Sequence, residues 1–194
     1  MSDIFIFHGT YGNPNENWFP WLKKELTAQG HQVFTPRFPT PENQNLELWW
    51  KQFKTFVPFL DNDTIFIGHS VGAAFLLNVL ERINTPIKAS YLVAGFLGSL
   101  NDPDFDQLNK TFVDKTFEWS KIKNNCSRFY VFSSGNDLYV PVEKAQELVS
   151  YLGAEGIMVQ EAGHFNKQAG YVKFDLLLQK LKPNLAPTKM KITV

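Results

Sequence analysis

Thr64-Ile65-Phe66-Ile67-Gly68-His69-Ser70-Val71-Gly72 passes from a β-branched and aromatic run to a serine flanked by glycines, and a helix-forming run with Ala73, Ala74, Leu77 and Leu80 follows at once. The apolar residues before Gly68 read as a strand buried on both faces. The small and apolar residues after Ser70 suit a helix packed closely on a sheet. Gly-x-Ser-x-Gly between such a strand and such a helix is a nucleophile elbow. The sharp turn strains the serine backbone, and glycines two residues to either side leave room for the chain to fold back. The serine oxygen and the helix N-terminus then face the same point. A glycine-rich turn around a structural serine is the bland alternative, and the flanking strand and helix weigh against it.

Outward from the elbow, short apolar runs alternate with helical patterns, as in a parallel sheet covered on both faces. Strands are expected near Ile4 to Phe7, Gln32 to Thr35, Thr64 to Ile67, Ala89 to Ala94, Arg128 to Phe132 and Ile157 to Gln160. Between them, Trp18, Trp21, Leu22 and Leu26 form one helical stripe that stops at Gly30, and Leu46, Trp49, Trp50, Phe53 and Val57 form another that Pro58 ends or kinks. A helix opens near Pro141 and closes at Gly153, and a last one spans Tyr171 to Leu181. A single domain over residues 1–182 and a loose tail over 183–194 are expected. The irregular excursion from Gly95 to Asn125 is either a lid-like binding segment or a helix pair filling one face of the core.

The chain has 194 residues, 19 basic and 19 acidic, with 44% apolar residues, 15% aromatic residues and one cysteine. That length fits one domain and buries a core without metals or disulfides. One cysteine excludes an intrachain disulfide and a cysteine-rich zinc site. Balanced charge gives no footprint for nucleic acid or an anionic membrane surface. The start, Met1-Ser2-Asp3-Ile4, lacks a basic n-region and a long apolar stretch, and runs such as Val71 to Leu80 fall short of the ~18 residues of a membrane span. A soluble, cytoplasmic protein of unspecified oligomeric state, with no metal and no cofactor, is the expectation.

A serine hydroxyl needs a base. Of the four histidines, His69 lies inside the elbow with its side chain directed away from the serine oxygen. His8 ends the first strand, and His31, at the entry of the second, is expected to be exposed. His164, in Glu161-Ala162-Gly163-His164-Phe165, follows the last strand at the sheet edge where the elbow opens, and is the favoured base. Asp137 follows the fifth strand at a similar offset and is the candidate for orienting the imidazole, although Asn136-Asp137 also suits a plain turn. The order Ser70, Asp137, His164, each after a different strand, is that of α/β-hydrolases. For the oxyanion, the backbone N–H of Val71 and a second N–H from Phe7-His8-Gly9-Thr10-Tyr11-Gly12 are expected, assigned to Thr10 with Tyr11 as competitor. Tyr11, His69, Phe96, Tyr139 and Phe165 flank this point and are expected to contact substrate.

Together these motifs resemble the small serine hydrolases of the retinoblastoma-binding protein 9 type. Asn17-Trp18-Phe19-Pro20-Trp21-Leu22-Lys23-Lys24-Glu25-Leu26 is similar to that family's first helix, and Gly68 to Gly72 to its elbow. Trp119 to Cys126 is similar to its approach to strand five, and Gly163-His164-Phe165 to its histidine turn. The resemblance implies a compact three-layer α/β-hydrolase fold with a six-stranded parallel sheet and hydrolysis of small esters or amides. The Leu-x-Cys-x-Glu segment from which the family takes its name is absent, since Cys126 has Asn124 two before it and Arg128 two after. The turn His8-Gly9-Thr10-Tyr11-Gly12 is also closer to the His-Gly turn of general esterases. The competing readings are an α/β-hydrolase scaffold that binds a protein partner through the aromatics of 96–119, and an acyltransferase.

Overall fold

A computed structural model describes residues 1–187 of the chain. Six parallel strands, β1 (Asp3–Phe7), β2 (Gln32–Phe34), β3 (Ile65–His69), β4 (Ala89–Val93), β5 (Phe129–Ser134) and β6 (Glu155–Val159), form one sheet in the order β2-β1-β3-β4-β5-β6. The order reverses direction at β1 and β3, so the loops leaving their C-terminal ends diverge and open a crevice there. The expected strands are all present. The last begins two residues earlier than its apolar run suggests, and its outer positions are exposed because it is an edge.

Strand periodicity divides the core. In β1, Phe5 and Phe7 point to one face and Ile4 and Ile6 to the other, and β3 repeats this with Phe66 against Ile65 and Ile67. The aromatic face packs on α2 (Leu46–Phe53), α3 (Val71–Arg82), α4 (Pro103–Val113), α5 (Trp119–Asn124) and α6 (Val142–Leu152). The isoleucine face is covered by α1 (Phe19–Ala28) and α7 (Asp175–Leu181), through Trp18, Phe19, Leu22, Leu26, Leu177 and Leu181. The result is the three-layer α/β architecture expected from the sequence.

Three boundaries differ. Helix α2 ends at Phe53 and continues as a 3-10 turn through Pro58, which lacks the N–H that an α-helical register needs. Helix α7 starts at Asp175, not Tyr171, because Phe174 just before it is non-helical, at φ −142° and ψ 72°. Residues 183–187 are not a loose tail. Asn184 is buried and its Nδ2 donates to the hydroxyls of Tyr91 (2.6 Å) and Tyr130 (3.0 Å), and the Ala186 N–H donates to Ser2 Oγ (2.9 Å). The remainder of that expected tail, 188–194, lies outside the described residues.

The excursion over 95–125 folds as the helix pair α4 and α5, with Phe112, Phe117 and Ile122 buried in the aromatic-face core. Its attachment is polar as well as apolar. Asn78 of α3 donates to the Phe112 carbonyl (2.9 Å), and the Leu46 N–H at the start of α2 donates to Thr111 Oγ1 (3.0 Å). A segment pinned on two sides is a wall of the crevice rather than a hinged cover, although Leu100 and Phe105 still face the crevice.

The elbow is as tight as the sequence implies. A Cβ on Gly68 would lie 2.5 Å from the Gly72 carbonyl oxygen, and one on Gly72 would lie 2.5 Å from the carbonyl oxygen of Phe7. Gly72→Ala should therefore lower the free energy of unfolding by at least about 1–3 kcal/mol, the scale of overpacking in a rigid core. Gly153→Ala, at the left-handed cap of α6 where an added Cβ meets nothing, should cost only about 1 kcal/mol. Urea unfolding of the two variants checks the order, and equal losses would refute the steric account.

Candidate active site

Ser70 has φ +56° and ψ −128°, a strained conformation at the junction of β3 and α3. Its N–H donates to the Val93 carbonyl on β4 (2.9 Å), which anchors the turn to the neighbouring strand. Gly9, in the loop after β1, passes so close that a Cβ there would lie 2.8 Å from Ser70 Cβ. The loops after β1, β3, β4, β5 and β6 all border one cavity of about 620 Å3, lined among others by Thr10, Ser70, Phe96, Phe105, Tyr139 and His164.

His164 and Asp137 meet directly, Nδ1 to Oδ2 at 2.8 Å. An ionised carboxylate can only accept, so Nδ1 carries the proton of this bond, and in the neutral imidazole Nε2 keeps its lone pair. The other carboxylate oxygen accepts the N–H groups of Tyr139 (2.9 Å) and Val140 (3.1 Å). Asp137 thus closes its own turn, as the plain reading of Asn136-Asp137 expects, and holds the imidazole at the same time. The histidine turn is tied down by residues whose part in it has no signal in the sequence. Ser134 Oγ accepts the Ala162 N–H (3.0 Å), Asn136 Oδ1 accepts the Gly163 N–H (2.7 Å), and the Trp18 indole donates to the Phe165 carbonyl (3.0 Å). Ser134 and Asn136 sit in a strand-to-helix turn rich in such residues, a pattern that signals a turn and not which distant amides it will bind.

The other histidines are all committed. His8 Nδ1–H donates to the Gly9 carbonyl (2.9 Å) and its Nε2 accepts the Phe38 N–H (2.9 Å), so neither nitrogen is free to take a proton from Ser70. Burial lowers its pKa, and the nearby Arg37 adds to that. His31 is buried rather than exposed, because its Nδ1 accepts the Ser2 N–H (3.1 Å) under the start of the sheet. His69 is only 4% exposed. Its Nε2–H donates to the carbonyl of His164 (2.8 Å) and its ring meets those of Trp18, Phe19 and His164. Burial, reinforced by His164, pushes the pKa of His69 down to about 3. Its Nε2–H is therefore spent on the histidine turn, while the residue still lines the cavity.

Phe165 does not reach the cavity at all. A left-handed φ of +51° turns it back into the core, where it packs on Phe174 and Tyr171. Phe96 lines the cavity from the end of β4. Tyr11 and Tyr139 stand at the mouth, partly exposed, with Phe105 between them at ring distances of 5.9 and 6.0 Å. Around the β1 loop runs a polar network. The Tyr11 N–H donates to Thr40 Oγ1 (2.8 Å), which donates to Gln44 Oε1 (2.5 Å). Gln44 Nε2 donates to Thr10 Oγ1 (3.0 Å) and Asn109 Oδ1 (2.9 Å), and Thr10 Oγ1 donates to the same Asn109 oxygen (2.6 Å). Thr40 and Gln44 lie 29 and 34 positions from the loop residues they meet, and Asn109 lies 99 from Thr10, so none carries a local signal.

A family model described as serine hydrolase matches residues 4–183. The chain belongs to that family. This serine hydrolase is 29% identical over 178 residues to YdeN of Bacillus subtilis, covering 91% of this chain and 92% of that one. It is 28% identical over 171 residues to the rat serine hydrolase RBBP9, covering 88% and 87%, which bears out the resemblance read from the motifs. The crystal structure of the ydeN gene product superimposes with a TM-score of 0.89 over 95% of this chain and 98% of that one, at 28% identity. The Arabidopsis methylesterase MES16, at 13% identity and a TM-score of 0.65 over 94% of this chain and 99% of that one, shares the fold. None of the described helices is long and apolar enough to cross a membrane.

The neutral, buried His69 sets a pH dependence of stability. In the unfolded chain histidine titrates near its ordinary value of about 6.5, whereas the folded protein keeps His69 unprotonated down to about 3. Below about 6.5 the unfolded state binds the extra proton, so stability is full above that pH and declines as pH falls toward 3. His69→Gln should flatten this decline by up to about 1.4 kcal/mol per pH unit. Urea midpoints measured from pH 7.5 to 4.5 in both proteins test this, and parallel slopes would refute it.

Proposed function

We propose that Ser70 is the nucleophile of an ester or amide hydrolase, with His164 as its base and Asp137 as the carboxylate that orients the base. The observation that carries this is the Nδ1–H to Oδ2 bond of 2.8 Å, which fixes His164 as the tautomer with a free Nε2 on the cavity that Ser70 also lines. His164 Nε2 takes the Ser70 proton as Oγ attacks the substrate carbonyl. The tetrahedral oxyanion collapses, the bond to the alcohol or amine breaks, and Nε2–H gives that leaving atom its proton. Water then attacks the acyl-serine, Nε2 takes the water proton and returns it to Oγ, and a carboxylic acid departs.

Two amides are available for the oxyanion. The Val71 N–H, in the first turn of α3, has no partner among the described residues, as first-turn amides do. Of the competitors after β1, the Tyr11 N–H is spent on Thr40 and the Gly12 N–H on the Gly9 carbonyl (3.1 Å), while the Thr10 N–H has no partner among the described residues. That favours Val71 with Thr10 as the pair of donors. A cavity of about 620 Å3 with Phe96, Phe105 and Tyr139 on its walls suits a small substrate with an apolar portion.

A fluorophosphonate probe should label the protein at Ser70 and leave Ser70→Ala unlabelled, with absence of labelling in both counting against the proposal. Asp137→Asn should lower kcat on an activated ester by about 10⁴, because the histidine is then held in the wrong tautomer. A loss under tenfold in a variant that still folds would point to a different orienting group.

A further inference from the structure

Asn109, on the wall helix α4, is 2% exposed, yet the two ends of its amide are used differently. Oδ1 accepts from both Thr10 Oγ1 and Gln44 Nε2. The network around it fixes which end is the oxygen. Gln44 Oε1 accepts from the Thr40 hydroxyl, and the other end of its amide reaches the Leu108 carbonyl (3.2 Å), which can only accept, so Gln44 presents N–H groups toward Asn109. Asn109 Nδ2 has no partner among the described residues, although no fully enclosed side-chain nitrogen or oxygen among them lacks one. Nδ2 therefore keeps an open side, and the open space that Asn109 borders is the cavity of about 620 Å3.

Around this donor the wall is apolar, with Phe96, Leu100 and Phe105. A hydrocarbon group bound there would strip water from the N–H groups and give nothing back, whereas an oxygen acceptor would be held by a donor already oriented. The bond from Asn109 to Thr10 places this wall beside the β1 loop. The leaving atom must lie near His164 Nε2, on the side rimmed by Asn166, Lys167 and Gln168. The α4 wall therefore faces the acyl portion.

From this we infer that Asn109 is a specificity-determining residue. Its Nδ2 donates to an acceptor oxygen, of ether, hydroxyl or keto type, close to the scissile carbonyl on the acyl side of the substrate. The inference rests on the proposed hydrolase reading of the same cavity. It separates substrates that are equal in size, which neither the family nor the three-residue constellation does.

Two p-nitrophenyl esters of equal acyl length test it, the methoxyacetate and the butanoate, with each kcat/KM divided by the ester's own rate of hydroxide hydrolysis. The wild-type protein should favour the methoxyacetate by about tenfold. Asn109→Asp keeps an oxygen for Thr10 and Gln44 and replaces only the N–H2 group, so the ratio should fall to near one. Should that variant fail to fold by circular dichroism, Asn109→Ala is read by the same ratio. A wild-type ratio near one in protein that labels with fluorophosphonate overturns the role of Asn109 alone, as does a tenfold ratio that survives Asn109→Asp. Protein that neither labels nor hydrolyses either ester overturns the hydrolase reading beneath it.

Discussion

The absence of two Cβ atoms, at Gly68 and Gly72, lets helix α3 leave strand β3 hard against the end of β1. Everything at the site is referred to that contact. It brings the backbone of the loop after β1 alongside Ser70 and holds Ser70 in a conformation that an unconstrained serine rarely adopts. A backbone carbonyl at 2.5 Å cannot yield as a flexible side chain would, so the close approach is a fixed distance rather than a preference. The aromatic face of the sheet then supplies the rigidity, with Phe7, Phe66 and Phe75 packed edge to face at 5.4 and 5.5 Å from Phe7.

The second level of organisation is polar. Loops after strands cannot bury much apolar surface, so those around the cavity are held by side chains that satisfy one another's backbone groups. His69, Trp18, Ser134 and Asn136 each bond to the backbone of residues 162–165, and His8 closes the loop after β1 while holding Phe38. Removing one partner leaves a buried donor or acceptor stranded, which costs more than the bond itself contributed. His69 shows how a histidine inside the elbow can hold a neighbouring loop. It stays neutral because it is buried beside another imidazole, and a neutral ring needs only one carbonyl to satisfy its proton.

Helices α4 and α5 complete the cavity as a fixed wall. Their inner residues belong to the same core as α3, and hydrogen bonds to Asn78 and Leu46 bind α4 to the helices on either side. The amide of Asn109 and the ring of Phe105 are carried on this wall, which the core and those hydrogen bonds hold in place.

Periodicity and local turn chemistry were enough to read the sheet and the elbow, because each depends on neighbours in sequence. An apolar run makes a buried strand, and Gly-x-Ser-x-Gly between strand and helix permits one kind of turn. The fates of Phe165 and His31 were not legible. Each was assigned by its nearness in sequence to a functional or terminal position, and each was decided by a backbone angle or a partner from elsewhere, such as the +51° φ that turns Phe165 into the core. Thr40, Gln44 and Asn109 were invisible for the same reason: a polar residue in a loop or on a helix does not announce what it will meet across 34 or 65 positions of chain. Local sequence determined which strands and turns exist, since those are set by short-range sterics and burial. Only the tertiary structure decided which polar atoms are spent and which are left facing the cavity, since hydrogen bonding saturates and its partners are distributed by the whole fold.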